Sequence, residues 1–185
     1  MDTGIRAGCF LIANTTLRDP NLSRTVVLLC ERNDQGSMGL VINRPTAHTL
    51  AEAISGLPER ATQLLYWGGP VQQRMVLVLH RDALDSPGAK EIVDGMALGA
   101  DNQALLHLLE KSANPAERVR VFSGYAGWAA GQLEAEMQLH SWIVAPGQTA
   151  LVFHDDPEKV WAEALVSLGP QYAHLTAIPP DPRVN

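Results

Sequence analysis

The segment Gly124-Tyr125-Ala126-Gly127-Trp128-Ala129-Ala130-Gly131 runs directly into Gln132-Leu133-Glu134-Ala135-Glu136, so its glycines stand where a strand passes into a helix. Free backbone N–H groups at such a junction could hold an anion. No Lys or Arg follows, however, the pattern is neither a P-loop nor a plain dinucleotide fingerprint, and Glu134 and Glu136 would repel a phosphate. The preferred reading is a tight glycine turn that lets Tyr125 and Trp128 pack. Ser123 before Gly124 invites comparison with the G-x-S-x-G nucleophile elbow, but Val121 occupies the place of the first glycine. His80 and Asp155 would complete a triad only on paper. Arg44, in Asn43-Arg44-Pro45, leaves an apolar run at a point fixed by proline and could present its guanidinium to a carboxylate. That carboxylate could belong to a ligand or, equally, to Glu134 or Glu136 of the chain itself.

Metal and thiol chemistry find little support. The six histidines are scattered, with no H-E-x-x-H spacing, and His154-Asp155-Asp156 before Pro157 reads better as a helix cap with proline at the first helical position. Cys9 and Cys30 sit in apolar runs outside any C-x-x-C pair, so buried, reduced thiols are expected. A bridge between them needs neighbouring strands. We expect no metal and no cofactor.

The elements that must position these residues follow from the hydrophobic pattern. The chain has 185 residues, of which 46% are hydrophobic and 18% charged, a globular composition of about one domain. The runs 9–13, 25–31 and 38–43 read as strands, the last two joined as a hairpin across Arg32–Gly36. Thr49 and Glu52 make a capping box for a short helix ending at Gly56. Strands are expected at 64–67, 75–80 and 119–123, with 84–99 mostly loop and short strands. Asp101 caps a helix that stops near Asn114-Pro115, and Leu133 and Met137 give a second, short helix its buried side. Runs 142–145 and 150–154 read as a strand pair across Pro146-Gly147, followed by a helix over 157–168. Dispersed helices without regular βαβ alternation favour an α+β class. One domain is expected over 1–178, and the Pro-rich residues 179–185 form a loose tail.

The ordered set Leu11-Ile12-Ala13, Asp19-Pro20, Gly39–Pro45, Gly68-Gly69-Pro70-Val71, Leu79-His80, Gly124–Trp128, Gly131–Glu136 and Trp142 resembles the YqgE/AlgH family of small bacterial proteins, mostly uncharacterised. The likeness spans about Gly8 to Gly169. It departs at Thr15, at Leu22 and in the tail Pro179-Pro180-Asp181-Pro182, which touches local packing and the C-terminus rather than the fold. The resemblance implies a single α+β domain with a curved, barrel-like, mostly antiparallel sheet and peripheral helices. It also implies a role of the kind described for a pseudomonad member, a regulator of alginate synthesis. We therefore expect a non-enzymatic regulatory or interaction protein with a polar groove formed by Asn43, Arg44, His80, Tyr125, Gln132 and Glu136, whose partner is a protein or a small molecule. The alternatives are an enzyme of unassigned, hydrolase-like class using the same groove, or a direct DNA-binding transcriptional regulator.

No apolar run reaches the ~18 residues of a membrane helix, and residues 1–8 lack the apolar stretch of a signal peptide, so a cytoplasmic chain without membrane partners is expected. With a formal net charge of −6, a pI near 5.4 and no concentrated basic stretch, the chain has little with which to displace counterions from phosphates. Direct binding to duplex DNA should accordingly be weak and largely lost near physiological salt. Titration of labelled duplexes with the pure protein checks this, and sub-micromolar, sequence-selective binding at that salt would refute it.

Overall fold

In the computed structural model, which describes residues 4–17, 19–81, 88–93, 95–99 and 101–179, the β-rich runs do become strands: β1 (Cys9–Ala13), β2 (Val26–Asn33) and β3 (Gly36–Val41) form an antiparallel meander. β4 (Pro45–Thr49) leads into α1 (Leu50–Ala53), where Thr49 and Glu52 form the expected capping box. β5 (Leu64–Trp67), β6 (Val71–His80), and the hairpin of β7 (Lys90–Val93) with β8 (Met96–Leu98) follow. Asp101 caps α2 (Asn102–Lys111) by accepting from the Ala104 N–H at 2.7 Å. Then come β9 (Val119–Ala129), α3 (Gln132–Gln138), β10 (Trp142–Pro146), α4 (Thr149–Val152), α5 (Val160–Ser167) and α6 (Pro170–Ala173).

The main path of the sheet runs β10-β1-β2-β3-β9-β6-β8-β7, with β5 inserted parallel to β9 and β4 antiparallel to β5. Side chains from both ends of this path, Ile143 on β10 and Ile92 on β7, belong to one buried cluster with Phe122 of central β9. A flat sheet of that width could not bring its edges together. The sheet curls into a half-barrel, and α4 and α5 close one end of it with Phe153, Val160 and Trp161. The Trp161 indole N–H donates to the Ala13 carbonyl at 2.8 Å and ties α5 to β1. On the outer face, Leu133 of α3 packs with Trp128 and Trp142, while α1 and α2 cover Val78 and Val121 through Leu50, Leu105 and Leu108.

Three segments depart from the sequence reading. The glycine segment is no turn: β9 runs straight through Gly124 and Gly127 to Ala129, because β3, β5 and β6 all pair with it and outweigh the poor strand propensity of glycine. Residues 149–152 form the helix α4 rather than a strand, since a short apolar run is buried equally well by either and periodicity does not separate them. The helix read over 157–168 does stop before Gly169, as α5 ends at Ser167, but a further helix, α6, and a tight turn over His174–Ala177 follow where the sequence reading placed no element, and they pack Tyr172 and Leu175 on the core. Asp156 does act as a cap-like acceptor, from the Glu158 N–H at 3.2 Å, although α5 itself begins at Val160. Residues 180–185 of the expected tail lie outside the described residues.

Cys9 and Cys30 are free and buried. Their strands are neighbours, yet Cys30 belongs to the inner cluster and Cys9 to the outer one, so the thiols lie on opposite faces of the sheet. Burial pushes both thiols up, that of Cys30 to about 12.

The glycines earn their place by close approach. Between β5 and β6 the chain folds over β9, and a Cβ added to Gly69 would lie 2.1 Å from the Tyr125 carbonyl carbon. Gly124, at φ +70°, faces the Gly69 carbonyl in the same crossing. Replacement of Gly69 by Ala should therefore destabilise the fold by at least about 3 kcal/mol. Urea melts of Gly69→Ala against the parent provide the measurement, and an unchanged midpoint would contradict it.

Candidate functional site

The six polar residues expected to share a groove fall in separate places. Asn43, buried just after β3, accepts from the Val26 N–H at 3.0 Å through Oδ1 and donates to the Arg24 carbonyl at 3.0 Å through Nδ2. Arg44 donates to the Ser23 carbonyl at 2.5 Å, and partial burial pulls its guanidinium below the usual arginine range. These two neighbours bind the turn entering β2. Neither Glu134 nor Glu136 is paired with Arg44: Glu134 bridges to Arg32 at 2.8 Å, and Glu136 is engaged elsewhere.

His80 ends β6 opposite Val119, wholly buried, with Nε2 at 3.0 Å from the Gly99 carbonyl and Nδ1 without a partner among the described residues. Tyr125 lies six residues further along β9, about 20 Å away at strand rise. Ser123 is four residues from the His80 position, about 13 Å, and its hydroxyl donates to the Gln73 carbonyl at 2.5 Å. The paper triad is not assembled. His154 accepts from the Asp156 N–H at 2.9 Å through Nδ1 and meets Glu163 at 3.1 Å through Nε2, so it orders a turn. Among the described residues no group of three or more His, Cys, Asp or Glu side chains is placed to hold a metal ion.

Gln132 and Glu136 do meet, on α3. Glu136 Oε2 accepts from both indoles, Trp128 at 2.9 Å and Trp142 at 2.7 Å, while Oε1 accepts from Gln132 Nε2 at 3.1 Å. The two indoles stand edge to face, 5.9 Å apart and inclined at 80°. Gln132 Oε1 in turn accepts from the Ala129 N–H at 3.1 Å, closing the turn from β9 into α3. This cluster fastens α3 to the sheet.

Of the six, only Tyr125 borders an apolar groove that the structure opens among the described residues. That groove, of about 580 Å³, is the end of the half-barrel left uncovered by α4 and α5. Met38, Leu77 and Tyr125 line it and also pack on the inner core, so its floor is core surface continued into solvent. Val71 and Met75 extend the apolar wall, and Glu31, Asn33, Gln35 and Gln72 make a polar rim. One wall is an irregular arm of β6. Between the pairs Val71↔Tyr125 and Val76↔Ser123, five steps of β6 oppose two of β9, and the surplus residues bulge out with Gln72 at φ +46°. Met75 and Val76 are left 45% and 46% exposed on this arm. Its only sign in the sequence is an apolar pair, Met75-Val76, following the polar Gln72-Gln73-Arg74.

A family model described as AlgH-like matches residues 10–173. The chain belongs to the AlgH-like family. Its relatives include a UPF0301 protein of Chlorobaculum tepidum, 41% identical over 183 residues and spanning 98% of this chain and 96% of the relative. A UPF0301 protein of Chlorobium luteolum is 39% identical over 183 residues, covering 98% of this chain and 95% of its own. The solution structure of the AlgH protein from Pseudomonas aeruginosa superimposes with a TM-score of 0.74 at 37% identity, over 94% of each chain. A crystal structure from Corynebacterium diphtheriae shares the fold at a TM-score of 0.77 and 20% identity, over 94% of this chain and 93% of that one. The AlgH-like fold is thus an α+β half-barrel, and the segments Gly39–Pro45 and Gly124–Glu136 that carry the resemblance serve mainly to build it.

The indole cluster generates a graded expectation. Trp128→Ala should cost roughly 3 to 5 kcal/mol, as for other buried aromatics, and Glu136→Ala about 2 to 4 kcal/mol, because it strands two buried indole N–H groups. Gln132→Ala, exposed, should cost under about 1 kcal/mol. Denaturant melts of the three variants test this order, and a Trp128→Ala protein that melts like its parent would break it.

Proposed function

We propose that this AlgH-like protein is a non-enzymatic regulatory or interaction protein of the cytoplasm, and that its working surface is the open mouth of the half-barrel rather than the polar motif residues. The observation that carries this is the contrast between the two. Asn43, Gln132 and Glu136 each engage both side-chain polar atoms within the chain and Arg44 binds the Ser23 carbonyl through Nη2, whereas the mouth leaves Met75 exposed beside core side chains. Exposed apolar surface rimmed by polar groups is the usual mark of a binding surface. The regulatory part of the reading rests on the family resemblance, and the acidic net charge supports an effect on transcription exerted through a partner rather than on DNA.

Nile red, a neutral apolar dye, should bind the native protein saturably at one site with enhanced fluorescence. Met75→Asp should weaken that binding by roughly tenfold without shifting the melting temperature, since the side chain is exposed. Absence of saturable binding, or binding indifferent to Met75→Asp, would overturn the reading.

A further inference from the structure

The mouth also borders an unfinished strand edge. β6 pairs with β9 no further than Tyr125, while β9 continues to Ala129 with β3 on its other side. The residues that would have prolonged β6 beside Gly127, Gly68 to Pro70, instead fold over β9 at Gly124 to Ala126. Among the described residues, then, no strand pairs with that side of β9 from Ala126 to Ala129. The Ala129 N–H points to Gln132 Oε1 rather than to β3. Backbone groups two residues apart on a strand face the same way, so Gly127 directs its N–H and carbonyl toward the unpaired side. Gly127 lines the mouth and has no side chain to block an approaching backbone. Such an edge is a template for another strand.

The chemistry of the lining narrows the occupant. Among the described residues lining the mouth, Glu31 is the one formally charged side chain, with Oε1 accepting from Asn33 Nδ2 at 2.9 Å and Oε2 left over. We propose, resting on the reading of the mouth as the working surface, that it takes an extended peptide segment of another protein, added as a strand at the Gly127 edge. An apolar side chain of that segment lies on the Met38–Leu77 floor against the Met75 wall, and a Lys or Arg reaches Glu31. Gln35 and Gln72 supply hydrogen-bonding partners for the remaining polar groups of the peptide. A small apolar amine would satisfy Glu31 and the floor but would have no use for the strand edge.

The test is selection from a phage-displayed library of random dodecapeptides on the full-length protein, with counter-selection on Met75→Asp after its fold has been checked by circular dichroism. Enriched sequences should combine apolar residues with Lys or Arg and be depleted of Asp and Glu. A synthetic copy should bind roughly five- to tenfold more weakly to Glu31→Gln, lose binding when alternate amides are N-methylated, and slow hydrogen exchange at the Gly127 amide. Failure to enrich any sequence, or peptides indifferent to Glu31→Gln or to N-methylation, would overturn the proposal. Titrations with Nile red and with dodecylamine separate the failures. If Nile red binds in a Met75-dependent way and no peptide does, the mouth stands as a binding surface and the peptide falls, and dodecylamine binding that depends on Glu31 then assigns the mouth to a small apolar amine. If no probe and no peptide binds, both readings fall.

Discussion

The crossing of two backbones at Gly69 and Gly124 is the constraint on which the rest of the molecule depends. β5 lies on the same side of β9 as β3, whereas β6 lies on the other, so the short link Gly68-Gly69-Pro70 must climb over β9 to join them. Cβ atoms at Gly68 and Gly69 would sit 2.2 and 2.1 Å from β9 backbone atoms, which leaves room for hydrogen alone. Because the link is so short, β6 starts level with Tyr125, and β9 is paired on both edges over its first half but on one edge over its second. The closed core and the open mouth are two results of one crossing.

That crossing was only partly legible in the sequence. Gly68-Gly69-Pro70 and Gly124-Tyr125-Ala126-Gly127 both have the composition of local punctuation, because glycine is the common residue of turns, and nothing along the chain shows that two glycine segments face each other. Local signals with local causes were legible: the Thr49–Glu52 capping box, the Asp101 cap and the strand 64–67 lie where the residues put them. Elements decided by distant partners were not. Residues 149–152 became helical because Leu151, Val152 and Phe153 close an end of the half-barrel, a demand set by strands far away in the chain.

The candidate site shows the same division. Polar residues within a distinctive motif invite a catalytic or ligand-binding reading, yet the indoles of Trp128 and Trp142 each carry an N–H that must be satisfied when buried, and Glu136 satisfies both. Asn43 likewise serves two backbone groups at the entrance to β2. A motif rich in polar residues can therefore be a structural motif when large aromatics and irregular backbone have to be buried beside it. The mouth escaped notice for the converse reason. Its residues, Glu31, Met38 and Met75, belong to three strands and form no pattern along the chain.

An apolar opening beside an unpaired strand edge is a hazard as well as an opportunity, since it can recruit any extended chain, including another copy of this one. The arm of β6 bears on that choice. Its bulge, with the surplus residues around Arg74, breaks the regular repeat that a second sheet would need to dock along β6, and the exposed Arg74 adds a charge there. The edge left available is only four residues long, from Ala126 to Ala129, and is hemmed by Glu31 across the mouth. Edge-to-edge stacking of sheets gains little from so short a ladder, whereas a single peptide that also fills the floor and meets Glu31 gains from all three. The geometry thus discriminates by combination, because the apolar floor, the acidic rim and the short ladder are each too small to hold a partner alone.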